Sequence, residues 1–218
     1  MRPLLLALLL AAPAVHAARP FVTDDARIVD QDGCQIETFV KRQRRFDETE
    51  FWFVPACNPW GAELTIGHAR VDSTPSGDTR TAILQAKSLL KPLATNGSGF
   101  ALTLGMLANA ANSPYVNTIG SFSFADDRIV LHANLGAIRD NVARISRGTW
   151  GAGAEILLIA PRLYGIVETY GQRGDKPTAH TGLRIWIVPN QVQIDTTVGV
   201  QRSSLARRFG TVGLRILW

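Results

Sequence analysis

The segment Gln191-Val192-Gln193-Ile194-Asp195-Thr196-Thr197-Val198-Gly199-Val200-Gln201 decides the fold, because Val192, Ile194, Thr196, Val198 and Val200 alternate with amides, a carboxylate, a hydroxyl and a glycine. Successive side chains of a strand point to opposite faces, so this is a strand with one apolar and one polar face. In a soluble sandwich the apolar face turns inward. In an outer-membrane barrel it meets lipid, and the polar face lines the lumen.

The end of the chain points to the barrel. Val212, Leu214, Ile216 and Trp218 share one parity, and the sequence stops on that aromatic. This ending resembles the C-terminal signal that the bacterial barrel-assembly machinery reads, which makes these four residues the candidate assembly signal. At the other end, Arg2, the apolar run Leu4 to Ala12 and Val15-His16-Ala17 read as a signal peptide over residues 1–17. That run is shorter than the ~20 residues a spanning helix needs. Residues 18–32 then form a periplasmic N-terminal segment, and 33–218 the barrel.

Twelve strands can be marked: Gly33 to Lys41, Glu50 to Cys57, Ala62 to Val71, Asp78 to Leu89, Gly99 to Ala108, Tyr115 to Phe124, Arg128 to Ala137, Thr149 to Ile159, Arg162 to Gly171, Thr178 to Val188, Gln191 to Gln201 and Arg207 to Trp218. An even count suits a single-chain barrel. Parity places Phe100, Leu102, Leu104 and Met106 outside, with Ala101, Thr103 and Gly105 inside. Ile129, Leu131, Ala133 and Leu135 likewise face lipid, opposite Val130, His132, Asn134 and Gly136. Connections after even-numbered strands are mostly tight, and those after odd-numbered strands tend to be longer. Short periplasmic turns, long outer loops and periplasmic termini are expected. Leu90 to Ser98 is the long exception.

The 46% hydrophobic composition contains no stretch of 18 apolar residues beyond the leader, so apolar groups reach lipid through strands. A net charge of +5 is spread over strands and loops, which argues against nucleic acid as a partner. The densest basic run, Lys41 to Arg45, sits at a hairpin tip beside Asp47, Glu48 and Glu50, or touches anionic outer-leaflet lipid. Cys34 and Cys57 are equidistant from a turn between Arg45 and Phe46, which makes them candidates for a cross-strand disulfide in an oxidising periplasm.

The same parity turns Lys87, Glu155, Glu168, Arg184, Trp186, Asp195 and Arg215 into the lumen. These residues form either a mixed-charge lining of a solute path or an ionic filling that only stabilises the barrel, since an unpaired buried ion costs several kcal/mol. Trp52, Trp60, Trp150, Tyr115, Tyr164, Tyr170 and Trp218 mostly fall near strand ends and suit an interfacial girdle, with a substrate-binding aromatic cluster as the alternative.

An enzyme is disfavoured. His132 points inward, Ser121 and Ser123 lie on the neighbouring strand, and no Gly-x-Ser-x-Gly elbow exists. Adjacent acids such as Asp24-Asp25 and Asp126-Asp127 are solvated turn residues, and no helix offers histidines at i and i+4. No cofactor and no metal are expected.

Several segments resemble the "MetA-pathway of phenol degradation" family of outer-membrane transporters: Arg19 to Ala26, Gly77-Asp78 with Gln85-Ala86-Lys87, Val167-Glu168-Thr169-Tyr170, Gly182-Leu183-Arg184-Ile185-Trp186 with Val188-Pro189-Asn190, Gln193-Ile194-Asp195, Gly199, and Gly213-Leu214-Arg215. The resemblance implies an outer-membrane barrel that passes aromatic or other hydrophobic compounds. The expected fold is thus all-β, a single closed antiparallel up-and-down transmembrane barrel of about twelve strands. Its expected partners are outer-membrane lipid, the assembly machinery and a small hydrophobic solute. The expected location is the bacterial outer membrane, and the expected role is a channel or transporter. The competing readings are a non-conducting structural barrel and a soluble periplasmic barrel or sandwich binding a hydrophobic ligand.

Overall fold

The computed structural model describes residues 21–43, 47–74, 77–109, 112–201 and 207–218. The leader over residues 1–17 lies outside the described residues. Twelve strands follow one another: β1 (Cys34–Gln43), β2 (Glu48–Cys57), β3 (Ala62–Ser73), β4 (Thr79–Lys91), β5 (Ser98–Ala108) and β6 (Ser113–Phe124). The chain continues through β7 (Ile129–Asp140), β8 (Ile145–Ile159), β9 (Leu163–Gln172), β10 (Thr178–Val188), β11 (Val192–Gln201) and β12 (Arg207–Leu217). Each pairs with its sequence neighbour, and β12 returns antiparallel to β1, from Gln35 opposite Leu217 to Arg42 opposite Gly210. Closure leaves no free edge, so every strand has ladder partners on both sides.

The two faces divide by parity, with the apolar one outside. Ile66, Leu104, Leu135 and Val198 are 69%, 56%, 69% and 65% exposed, whereas Arg184, Asp195, Glu155 and His132 are at most 2% exposed. A soluble sandwich would show the reverse. On β11, the deciding segment puts Gln193, Asp195 and Thr197 inside and Ile194 and Val198 outside.

The expected contrast between short turns and long outer loops is not present. β3, β7 and β8 run past the expected limits, to Ser73, to Asp140 and from Ile145, and absorb residues taken for loops. The exceptional connection shrinks to 92–97 because β4 continues to Lys91. Turn residues fit this tightness: Asn190 (φ 59°) and Gly61 (φ 84°) sit in the left-handed region that Asn and Gly reach most readily.

The aromatic girdle also needs correction. Trp60, Trp150 and Trp218 are exposed. Tyr164 is 4% exposed, and Trp52, Tyr115 and Tyr170 point inward with it. Parity outranks position along the strand: Tyr170 lies two residues from inward Glu168, and Trp52 two residues from inward Val54. The disulfide Cys34–Cys57 joins the first residue of β1 to the last of β2, where the two are register partners.

Candidate functional site

The interior has two levels, both shaped by a segment with no regular secondary structure. Residues 21–29 lie within the lumen rather than outside it in the periplasm, and 30–32 are exposed at the end where Cys34, Cys57 and Trp218 meet. A twelve-stranded barrel is wider than the roughly eight-stranded one that side chains alone can fill, so this segment occupies space that would otherwise be open.

The wall receives the segment through polar side chains. The Glu168 carboxylate accepts the N–H of Val22 at 3.0 Å and that of Thr23, and also contacts His180 Nε2. Asp24 N–H donates to Asn134 Oδ1 at 2.7 Å, and Asn134 Nδ2 donates back to Asp24 O at 2.8 Å. Ala26 N–H reaches Ser121 Oγ at 2.8 Å, and Val29 N–H reaches Glu63 Oε2 at 2.9 Å. Lys87 Nζ lies 2.7 Å from Asp24 and 3.5 Å from Asp25.

All seven nominated lumen residues are buried, most of them in the level nearer the chain ends and Glu168 at the boundary, where it holds Val22 and Thr23. Arg184 bonds Asp195, its register partner on β11, through Nη2 at 2.9 Å, and reaches Glu155 across β9 at 2.5 Å. Gln193 Nε2 donates to Asp195 at 2.8 Å. Arg215 Nε donates to Gln35 at 2.8 Å and lies 3.5 Å from Glu37. Trp186 packs on Tyr164 in a small apolar cluster, away from the open space. A cavity of about 40 Å³ lies here, bounded by Asp25, Arg27, Glu63, Lys87 and Arg215 among others.

The other level is a cup. A cavity of about 500 Å³ has the segment Phe21 to Asp24 among its lining, together with Asp175, Lys176 and Gln201 from the end opposite the chain termini. One side carries Phe39, Trp52, Phe209, Lys41 and Glu50, and the other Gln85, Thr103, Tyr115, Asn117 and Thr149. Phe39 and Trp52 stack at 5.5 Å, Lys41 pairs with Glu50 at 2.7 Å, and Tyr115 donates to Gln85 at 2.7 Å. None of the seven nominated residues lines this cup. Its signal was available for Tyr170, which shares parity with Glu168, but not on β2, where Phe51, Trp52, Phe53 and Val54 make both faces apolar.

Ser121 Oγ and His132 Nδ1 are 2.8 Å apart, and His132 Nε2 lies 3.6 Å from Glu155. Ser121 is fully buried, and its oxygen already accepts the Ala26 amide. The basic run at the first hairpin is divided by parity: Lys41 turns in, Arg42 pairs with Asp47 at 2.5 Å, and Arg44 and Arg45 lie outside the described residues. Among the described residues no cluster of His, Cys, Asp and Glu could hold a metal ion.

A family model described as "Uncharacterised conserved protein UCP029691" matches residues 5–218. No curated protein matches the chain. Among solved structures, the KdgM porin superposes with a TM-score of 0.63 at 9% identity, covering 84% of this chain and 98% of that one. "KdgM porin in complex with disordered oligogalacturonate" gives 0.64 at 10% identity over the same shares. At these identities the likeness concerns the fold, a closed twelve-stranded barrel of the outer-membrane type. The barrel implied by the sequence resemblance is therefore present, while the matched family is not the phenol-degradation one.

Proposed function

The chain belongs to the UCP029691 family, and from its barrel geometry we propose that it is a small outer-membrane channel with a solute-holding cup on the outer side. The observation that carries this is an apolar outer belt around a polar lumen that opens at one end into about 500 Å³. In water, a belt containing Ile66, Leu135 and Val198 would be an extended exposed apolar surface of a kind that soluble monomers avoid. Hydrocarbon removes that cost, and an even strand number with periplasmic termini turns the cup outward.

The cup's composition supports an uncharged, ring-sized solute able to hydrogen-bond. Lys41 is matched by Glu50, Asp24 by Lys87 and Asp175 by Arg147, while exposed Lys176 is a single lining cation without an ion pair among the described residues. Amides and hydroxyls alternate with aromatic rings, a lining that orients a small amphipathic molecule. Aromatic compounds of the phenol-pathway type fall within this class. The acidic oligosaccharide named with KdgM is not carried over, because the cup has no row of unpaired cations among the described residues. The Ser121–His132–Glu155 line is read as a seat for Ala26 rather than as a nucleophile, since a bound amide covers the serine.

A second reading, a structural barrel that never conducts, is favoured by the filled lower level. Purified protein in planar bilayers separates the two. Stepwise ion current, together with faster liposome swelling in glucose or catechol than in galacturonate, supports the channel. A preparation that inserts but carries no current under any voltage, even with Phe21 displaced by Gly153→Val, sinks it.

A further inference from the structure

The N-terminal segment sits in the lumen differently from a permanent core element. Its backbone is held by Glu168, Asn134, Ser121 and Glu63, polar groups that water can satisfy when the segment is gone. Its buried apolar side chains are only Phe21, Ala26 and Val29. The wall closes without it, since all twelve strands pair in a ring and Arg184, Asp195 and Gln193 bond one another across β10 and β11.

The seat is cut by two glycines. A Cβ added at Gly151 would fall 2.6 Å from Thr23 Oγ1 and 3.3 Å from Thr23 Cβ, and one at Gly153 would overlap the Phe21 ring. The far end of the segment is pinned: Asp32 N–H donates to Asn58 O at 2.8 Å, and Asn58 Nδ2 donates to Val29 O at 2.7 Å, beside the Cys34–Cys57 disulfide. Phe21 to Asp24 line both the cup and the lower cavity, and Asp25 and Arg27 line the lower one, so the segment is the partition between the two spaces.

Resting on the channel reading above, we infer that residues Phe21 to Val29 are a gate, which swings from the Asn58 anchor to join the cup to the periplasmic end. Closed, it leaves the open state a minor population, on the order of 0.1–10%. A solute held in the cup touches the gate directly, so cup occupancy and gate position are thermodynamically linked.

The full-length protein tests this in planar bilayers. The pair Thr23→Cys with Gly151→Cys places two Cβ atoms close to the ~3.5–4.5 Å separation of a disulfide. Oxidised, it should silence the current, and reductant should restore it, with wild type under the same reductant controlling for the native bond. Gly153→Val, which displaces Phe21, should raise the mean current by about tenfold or more, the change expected when a minor open state becomes dominant. Heat-modified mobility on gels confirms that each variant is folded. Equal current from wild type, the cross-linked form and Gly153→Val overturns the gate and leaves the channel standing. Absence of current from all three, Gly153→Val included, overturns both.

Discussion

The lower and upper levels of the lumen are lined by the same twelve strands with the same alternation, yet one is filled and the other is open. Below, the inward positions carry long ionised side chains such as Lys87, Glu155, Arg184 and Arg215, which pair with nearby strands or with the threaded segment. Above, one side carries Thr103, Asn117, Thr149 and Gly151, too short to meet Trp52, Lys41 and Phe209 on the other side of so wide a cylinder. The difference shows that closure of the sheet does not decide whether a barrel has room inside. Side-chain reach and the threaded segment decide it.

If the lower level is a load of paired ions, its removal should have the largest effect. Arg184→Met leaves Glu155 and Asp195 without their shared cation, and should lower stability by about 3–5 kcal/mol, read as an earlier loss of the fast-migrating folded band on gels. A change below 1 kcal/mol would mean that water, not Arg184, satisfies these carboxylates. Next comes the outer belt shared by both levels. Leu104→Arg should cost ~2–4 kcal/mol in a lipid-facing site near the bilayer midplane, whereas a solvent-facing leucine would tolerate it within about 0.5 kcal/mol. Chemical denaturation in lipid vesicles decides which.

Cys34→Ser with Cys57→Ser opens a loop of 23 residues at the base of the lower level. It should lower stability by roughly 3 kcal/mol, measured in the same denaturation assay. The smallest effect belongs to the cup. Glu50→Gln breaks a partly exposed pair with Lys41 and should cost about 1 kcal/mol or less. It should nevertheless raise the preference for anions over cations in bilayer recordings, because Lys41 then faces the cup unmatched. Unchanged selectivity would remove Lys41 and Glu50 from the solute path.

Much of this architecture was legible in advance, and for a local reason. Alternation on β5, β7 and β11 assigns inside and outside from residues two apart, and the seven nominated lumen residues all lie buried on the inward face. Loop length was misread at Asp140 and Ile145 because polar residues at a strand end look like loop residues when only composition is available. Tyr115, Tyr164 and Tyr170 were assigned to an interface by distance from a strand end, a weaker guide than parity. The cup was missed because its lining comes from inward positions on nearly every strand, each unremarkable in its own segment.

The order of residues along the chain was enough to set the two faces of most strands, the number of strands and their pairing, since backbone geometry forces alternation and neighbouring strands pair by proximity. It was not enough to bring Glu155 to Arg184 across an intervening strand, or to lay Thr23 against Gly151, far away on β8. Those contacts depend on the radius of the closed cylinder and on where a threaded segment comes to rest, quantities that exist only once the strands have met.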